Sequence, residues 1–360
     1  MLLSKQTISK PFTKERMPNR IAIFTDLDGT LIRHEDYSFA PVKSLLRKLQ
    51  FKHIPVVLAS SKTRAEIEHY RREMKLADPF IVENGGAIVI PNNYFETRYL
   101  RRHQAHVRSY ADSSCVELGR PYAELVQALN EIQAETQVPL IGFHEMDLDQ
   151  IIQHTGLDRR QARLAARREY DEPFLIPGDP TPGTVRKVRQ QATRQGFRVV
   201  KGGRFYHLTG KSNKGRAVRI LIQLYRMAHQ IQVFIGLGDS ENDLSLLQNV
   251  TVPILMAKSD GTFDATILRR MPGVKRALAG PAGGSRSSAH FFANRQHDPF
   301  HQATQFSKVA IPAKNAAPFC ESLGSGDAFS GGAFDLSRLH PGGRRRSPVP
   351  GVFNRRHRAG

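Results

Sequence analysis

IAIFTDLDGTLI, residues 21–32, is the stretch that decides the fold. Its apolar first half predicts a short buried strand, and the acidic, glycine-containing second half predicts a loop. Two more apolar runs follow, IPVVLASS (54–61) and PFIVENGGAIVI (79–90), and a segment with helical spacing precedes each of them. Buried strands that alternate with helices are typical of an α/β protein in which helices cover both faces of a parallel sheet.

The same pattern returns at residues 214–257, where a helical segment precedes the buried strand IQVFIGLGD (231–239) and the further strand VTVPILMA (250–257). Between the two halves, residues 87–209 mix possible helices, at 113–133 and 158–172, with short strand candidates. We therefore predict a discontinuous core with an inserted α+β module. The predicted segments are a flexible leader (1–20), the core (21–86 and 210–280), the module (87–209) and an atypical basic tail (281–360).

The composition is typical of a soluble globular protein, since 40% of the residues are hydrophobic and 24% are charged. No apolar run is long enough for a membrane span, and the two distant cysteines favour a reducing cytoplasm. The formal net charge of +20 suits an anionic partner, but basic and aromatic residues are not interleaved, so nucleic-acid binding is not expected. The tail is rich in Gly, Ser, Pro and Arg and is predicted to be disordered.

Asp26 and Asp28 lie at the predicted carboxyl end of the first strand, where open α/β sheets bind ligands. Two carboxylates with this spacing can divide the work of cleaving a phosphate ester, because one can attack phosphorus while the other transfers protons. The alternative interpretation is a tight turn in which Asp and Gly only suit the backbone.

A second acidic cluster, GDSEND at 238–243, comes at the end of a later buried strand. Its carboxylates and amide suit a hard, oxygen-bound cation such as Mg²⁺, although acidic residues are also common at a helix N-terminus. Lys214 and Ser60 are candidates for binding phosphate oxygens. The alternative interpretations are a solvated lysine and a helix-capping serine.

The chain resembles the haloacid-dehalogenase-like (HAD) phosphatases in four motifs and in their order. These are DxDGT, a serine after the second strand, a lysine at the start of a helix, and GDxxND. The resemblance implies a Rossmann-like parallel-sheet core, an inserted C2-type cap and Mg²⁺-dependent hydrolysis through an aspartyl-phosphate. It makes Asp26 the nucleophile and Asp28 the acid/base. It assigns phosphate binding to Ser60, Lys214 and Asn242, and metal binding to Asp26, the carbonyl of Asp28, Asp239 and Asp243.

Over about residues 20–283 the chain further resembles the mannosyl-3-phosphoglycerate phosphatases. The segments that carry this resemblance are VVLASSKTRAEIE, IVENGGAI, REYDEPF, VVKGGRFYHLTGKSNKG and GLGDSENDLSLL. This resemblance implies that mannosyl-3-phosphoglycerate is cleaved to phosphate and mannosylglycerate, a compatible solute. The substrate's carboxylate and hydroxyls would contact the cap residues Arg168, Arg204, Glu169 and His207. After Gly283 the chain no longer resembles the family.

Two other interpretations stay open. The chain can be a phosphatase or phosphomutase of other sugar phosphates, since the fold alone does not fix the substrate. A non-enzymatic protein would use its basic tail to associate with nucleic acid or a membrane, although the intact catalytic positions favour an enzyme. The expected partner is a small anionic sugar phosphate, with neither a membrane nor nucleic acid, and the sequence leaves the oligomeric state open.

Overall fold

The computed structural model describes residues 20–33, 37–100 and 107–277. The predicted leader, except Arg20, and the whole predicted tail at 281–360 lie outside these residues. None of the helices in the described ranges is long and apolar enough to cross a membrane.

In chain order, the described strands and α-helices are β1 (Ile21–Thr25), α1 (Lys43–Phe51), β2 (Val56–Leu58), α2 (Arg64–Met74), β3 (Phe80–Val82), β4 (Ala87–Pro91), α3 (Thr97–Leu100), β5 (Val107–Ser109), β6 (Ser113–Glu117), α4 (Tyr122–Thr136), β7 (Ile141–Gly142), α5 (Leu148–Thr155), α6 (Arg159–Ala165), β8 (Asp171–Leu175), α7 (Pro182–Arg194), β9 (Arg198–Lys201), β10 (Tyr206–Thr209), α8 (Lys214–His229), β11 (Val233–Gly238), α9 (Leu244–Leu247), β12 (Val252–Met256), α10 (Ala265–Arg270) and β13 (Lys275–Ala277).

The central sheet has five parallel strands in the order β13-β12-β11-β1-β2. Ile21 pairs with Val233 and Thr25 pairs with Leu237, so the carboxyl ends of β1 and β11 are level with each other. Successive side chains of β1 enter hydrophobic clusters on opposite faces of the sheet. The predicted α/β class with a parallel core sheet is confirmed.

Helix caps set the positions at which two helices begin beside the sheet. In α2, the hydroxyl of Thr63 accepts the N–H of Glu66, and the Glu66 carboxylate accepts the N–H of Thr63, which forms a capping box. In α8, the side-chain oxygen of Asn213 accepts the N–H of Arg216. These caps fix the backbone around Lys62 and Lys214, which lie next to the capping residues.

A second sheet, β3-β4-β6-β5, is antiparallel and is linked to β2 by a parallel bridge between Ala59 and Ile81. The third strand predicted at 79–90, with a break at Gly85 and Gly86, is two antiparallel strands, because the chain reverses at Glu83–Gly85. The predicted helix at 113–133 was wrong in its first part. Ser113–Glu117 forms β6, where it satisfies the hydrogen bonds of β4, and Gly119 and Pro121 separate it from α4.

A third sheet, β7-β8-β10-β9, is antiparallel and is covered by α4 and α7. The sequence prediction missed α7, which begins with a Thr181 cap followed by Pro182 at its first position. The predicted helix at 158–172 ends at Ala165, because the residues from Asp171 onward pair with β10 as strand β8.

The hydrophobic clusters indicate where the inserted module begins. Side chains of β4 and β6 belong to the same clusters as the parallel sheet. In contrast, α4, α7 and the third sheet share a cluster of their own. We therefore propose that the module begins near residue 121, rather than at residue 87 as the sequence suggested.

Candidate active site

The carboxyl ends of β1 and β11 deliver acidic side chains to one point. Because Thr25 pairs with Leu237, the residues that follow these two strands leave the sheet side by side. The N–H of Asp26 donates to the carbonyl of Leu237 at 2.9 Å, which fixes the start of the loop. Asp26 and Asp239 are 5% and 4% exposed, so both carboxylates are largely withdrawn from bulk water.

Lys214 joins a cluster of three carboxylates. Asp26, Asp239 and Asp243 each place an oxygen within 4.8 Å of the others. Lys214 Nζ donates to Oδ1 of Asp26 at 2.6 Å and to Oδ1 of Asp243 at 2.5 Å, and its side chain is fully buried. The structure thus brings together four residues that the sequence singled out from three separate segments.

The charges in this cluster do not balance. Burial raises the pKa of Asp26 above its ordinary range, Asp243 adds to the rise, and Lys214 opposes it. Burial also raises the pKa of Asp243. Burial alone would lower the pKa of Lys214, but Asp243 and Asp26 outweigh burial and raise it. One ammonium group does not balance the charge of three carboxylates, so the cluster can bind a second cation.

The loop after β11 is shaped to hold Asp243. Oδ2 of Asp243 accepts the N–H of Asp239 at 3.0 Å and that of Ser240 at 3.3 Å, while its Oδ1 faces Lys214. Gly238 is required here, because a Cβ at that position would lie 2.4 Å from the Cβ of Asp243. The donor set of this buried cluster fits a hard divalent cation, which prefers carboxylate oxygens.

Lys62 lies in the site, although the sequence prediction assigned it no role. Its Nζ lies 3.1 Å from Oδ1 of Asp28 and 3.4 Å from Oε1 of Glu66, and the residue is only 7% exposed. Burial would lower the pKa of Lys62, but Asp28 and Glu66 outweigh burial and raise it. The available signal was its position in SSKT, directly after the candidate phosphate-binding serine.

Ser60 follows β2 and is fully buried. Its hydroxyl accepts the N–H of Lys62 at 3.2 Å, and its backbone carbonyl accepts the N–H of Asn84 at 3.0 Å. The neighbouring Ser61, rather than Ser60, lines the cavity above the carboxylates. In this structure the Ser60 hydroxyl therefore holds the backbone that leads into α2.

The cavity over the carboxylates is walled by both the core and the inserted module. From the core, its lining includes Asp26, Asp28, Lys62, Asp239 and Asn242. From the module, it includes Phe143, Arg168, Arg204, Phe205 and His207. A ligand in this cavity would therefore contact acidic residues of the core and basic residues of the module.

Three of the four predicted cap residues line this cavity, namely Arg168, Arg204 and His207. Arg168 donates to the carbonyl of Ser61 at 2.8 Å, and Arg204 donates to the carbonyl of Thr155. His207 Nδ1 lies 3.0 Å from Oδ2 of Asp171. The fourth residue, Glu169, does not line the cavity.

Glu83 fastens the start of β8 to the core. Its fully buried carboxylate accepts the N–H of Tyr170 at 2.8 Å and that of Glu169 at 3.1 Å. Burial raises the pKa of Glu83 to about 8, against the opposing effects of Arg168 and these N–H groups. In the unfolded chain Glu83 loses its proton near the ordinary pKa of a glutamate, whereas in the folded protein it keeps this proton up to about pH 8.

Replacing Glu83 by Gln is expected to remove one component of the pH dependence of stability. Because the pKa is raised in the folded state, the contribution of Glu83 is complete at low pH and is lost as the pH rises to about 8. Relative to Glu83→Gln, the wild type should lose roughly 1 kcal/mol of unfolding free energy per pH unit between about pH 5 and pH 8. Urea unfolding of both proteins across this range measures the effect, and a constant difference between them would contradict it.

Comparisons with known proteins agree with these motifs. Residues 23–111 match the haloacid dehalogenase-like hydrolase family. A glucosyl-3-phosphoglycerate/mannosyl-3-phosphoglycerate phosphatase from Methanococcoides burtonii is 40% identical over 262 residues, which cover 72% of this chain and 93% of that protein. A mannosyl-3-phosphoglycerate phosphatase from Pyrococcus furiosus is 35% identical over 236 residues, which cover 65% of this chain and 90% of that protein.

Solved structures show a similar fold. A protein from Thermoplasma acidophilum aligns with a TM-score of 0.51 at 18% identity, covering 78% of this chain and 99% of its own. The sucrose-phosphatase from Synechocystis, determined with sucrose and phosphate, aligns with a TM-score of 0.50 at 13% identity, covering 76% of this chain and 97% of its own. These similarities extend through both the parallel core and the inserted module.

Proposed function

The chain belongs to the haloacid dehalogenase-like hydrolases and is a phosphatase, and we propose that it hydrolyses mannosyl-3-phosphoglycerate through a phosphorylated Asp26. The buried carboxylate cluster around Lys214 is the observation that carries the chemistry. The relative that is 40% identical supports the substrate class by its name. Since that name also includes the glucosyl compound, glucosyl-3-phosphoglycerate is the second candidate substrate.

In the proposed reaction, a carboxylate oxygen of Asp26 attacks phosphorus, and the bond between phosphorus and the ester oxygen breaks. Asp28 donates a proton to the departing oxygen, so the glycosylglycerate leaves as an alcohol. A water molecule then attacks the phosphorus of the aspartyl-phosphate, and Asp28 accepts a proton from this water. Asp26 is regenerated as a carboxylate and inorganic phosphate is released.

The placement of the side chains supports this division of work. Asp26 is buried at the end of β1, and its contact with Lys214 favours the ionised, nucleophilic form. The side chain of Asp28 is 24% exposed and lines the cavity, so it can reach both a leaving group and a water molecule. Lys214 and Asn242 are proposed to hold the oxygens of the phosphate while its charge redistributes.

Mg²⁺ is the proposed cofactor, held by Asp26, Asp239 and Asp243 together with the backbone carbonyl of Asp28. The excess negative charge of the cluster and its purely oxygen donors support this choice. When bound, the ion would neutralise carboxylates that otherwise repel an anionic phosphate.

The proposed substrate carries a carboxylate and a phosphate on the same glycerate unit. Arg204 is exposed to the cavity and contacts one carbonyl oxygen, that of Thr155, so several of its N–H donors can face a substrate carboxylate. Arg168 contributes positive charge but already donates to backbone carbonyls. His207 is proposed to bind a hydroxyl of the substrate. Glu169 does not line the cavity, so no direct contact with the substrate is proposed for it.

A substrate panel tests the proposed function. Phosphate release is measured with mannosyl- and glucosyl-3-phosphoglycerate, common hexose phosphates and p-nitrophenyl phosphate. We expect kcat/KM for one of the glycosyl-phosphoglycerates to exceed that for any hexose phosphate by at least about 100-fold, since only the former presents a carboxylate to Arg204. Equal turnover of the hexose phosphates would discard the proposed substrate and retain the phosphatase chemistry. Product analysis excludes a mutase if free phosphate accounts for all of the substrate consumed.

Removal of the metal is expected to stop the reaction and to lower stability. EDTA should reduce phosphate release to the background rate, and excess Mg²⁺ should restore it. The midpoint of thermal unfolding should also rise with Mg²⁺, because an ion that binds only the folded protein stabilises it. Asp239→Asn is the matched variant and should lose most of this rise. A wild-type midpoint that does not respond to Mg²⁺ would contradict the proposed metal site.

A further inference from the structure

A line of buried and partly buried hydrogen bonds runs from the core into the inserted module. Ser240 Oγ donates to Oδ1 of Asn242 at 2.7 Å, and Nδ2 of Asn242 donates to Oδ1 of Asn84 at 3.1 Å. Nδ2 of Asn84 donates to Oδ2 of Asp171 at 2.6 Å, and the same oxygen lies 3.0 Å from Nδ1 of His207. Asn242 and His207 both line the catalytic cavity, whereas Asn84 does not.

The fully buried carboxylate of Asp171 sets the direction of every hydrogen bond in this line. A carboxylate only accepts, so Asn84 must turn its amide nitrogen toward Asp171 and its oxygen toward Asn242. Asn242 must then donate from its nitrogen, whose second N–H makes no hydrogen bond to any described residue. That N–H is therefore available to a ligand oxygen. At the other end, His207 must carry a proton on Nδ1 to donate to Asp171.

The backbone at Asn84 is strained and firmly held. Glu83 and Asn84 have φ angles of 45° and 55°, in the left-handed region that is costly for residues other than glycine. The next residue, Gly85, packs so closely on the start of α8 that a Cβ there would lie 2.7 Å from the backbone nitrogen of Lys214. The carboxylate of Glu83 holds the N–H of Tyr170 on the module side. Glycine at position 84 would relieve this strain, so the backbone alone does not require an asparagine.

We propose that Asn84 is a positioning residue that orients substrate-binding groups on both the core wall and the module wall of the cavity. Its oxygen orients the amide of Asn242 in the core, and its nitrogen orients His207 in the module through Asp171. The proposal rests on the proposed function, in which Asn242 faces the phosphate and His207 faces a hydroxyl of the substrate. One side chain that does not line the cavity thus connects a substrate-binding group of the core with a substrate-binding group of the module.

Asn84→Gly separates this role from a purely backbone role. Glycine adopts positive φ without strain, so a backbone role predicts unchanged kinetics and unchanged or higher stability. A positioning role predicts that kcat/KM for the preferred glycosyl-phosphoglycerate falls by about 10- to 100-fold, with KM raised and kcat lowered, in a protein that stays folded. Asn93→Gly is the matched control, since Asn93 is exposed and has a φ of 63°. Its kinetics should equal those of the wild type.

A double-mutant cycle with His207→Ala tests whether Asn84 acts through the module. If it does, the combined loss in kcat/KM is expected to be at least about fivefold smaller than the product of the two single losses. Losses that multiply would overturn the link to His207, and wild-type kinetics in Asn84→Gly would overturn the positioning role altogether. If the wild type prefers another phosphomonoester, the proposed substrate is wrong. The same cycle with that ester then decides the role of Asn84 by the same criteria.

Discussion

Replacing Asp26 by Asn is expected to lower the rate of phosphate release by about 10⁴-fold or more, because the amide cannot serve as the attacking carboxylate. The protein should stay folded. Burial and Asp243 already raise the pKa of Asp26, so removing this carboxylate relieves an unfavourable burial of charge. Initial rates in excess Mg²⁺ and thermal unfolding of the same samples measure both quantities.

Asp78→Asn is the matched control for Asp26→Asn. Asp78 is also buried, and its carboxylate accepts the N–H of Val56 at 2.9 Å and the hydroxyl of Tyr94 at 2.8 Å, but it does not line the catalytic cavity. We expect this variant to lose about 1 kcal/mol of stability and to keep its kcat. Activity of Asp26→Asn within tenfold of the wild type would contradict a nucleophilic role. Similar rate losses in both variants would point to a general effect of removing a buried acid.

Replacing Lys214 by Met is expected to lower the free energy of unfolding in EDTA by about 3–5 kcal/mol. Met approximates the length of the lysine but leaves Asp26 and Asp243 without the ammonium group that lies 2.6 and 2.5 Å from them. The rate should fall by at least about 100-fold, because a positive charge near the phosphate is also lost. Urea unfolding in EDTA and initial rates in Mg²⁺ measure the two effects.

Mg²⁺ provides an internal control for Lys214→Met. A divalent cation would offset two of the three negative charges of Asp26, Asp239 and Asp243, so it should restore more stability to the variant than to the wild type. If the variant is as stable as the wild type in EDTA, the lysine does not compensate the buried acids in the way that their distances indicate.

Much of the fold and of the acidic cluster could be predicted from local sequence. The strand at β1 is a continuous apolar run, and Asp26 must come after it. The structure places β11 next to β1 in register, and this pairing brings Asp239 beside Asp26. The parallel class and the approach of these two acids were predictable because both depend on strand ends, which sequence patterns mark well.

The contacts between the core and the module were not predictable from local sequence. Asn84 and Asp171 are 87 positions apart, and their 2.6 Å hydrogen bond depends on how the third sheet sits over the core loop. Lys62 was assigned no role because a single lysine beside a helix start is usually solvated, and only the fold shows its contact with Asp28. We propose a later start for the module because β4 and β6 pack in the same clusters as the parallel sheet, and local sequence does not show which partners these short apolar strands take.

The steric course at phosphorus tests the proposed phosphorylation of Asp26 most directly. A phosphorothioate version of the preferred substrate, made chiral with oxygen isotopes, is hydrolysed in isotopically labelled water, and the configuration of the released thiophosphate is determined. Two successive in-line displacements, first by Asp26 and then by water, each invert the configuration. A phosphorylated Asp26 therefore predicts overall retention, whereas inversion would show that water attacks the substrate directly and would contradict a covalent intermediate.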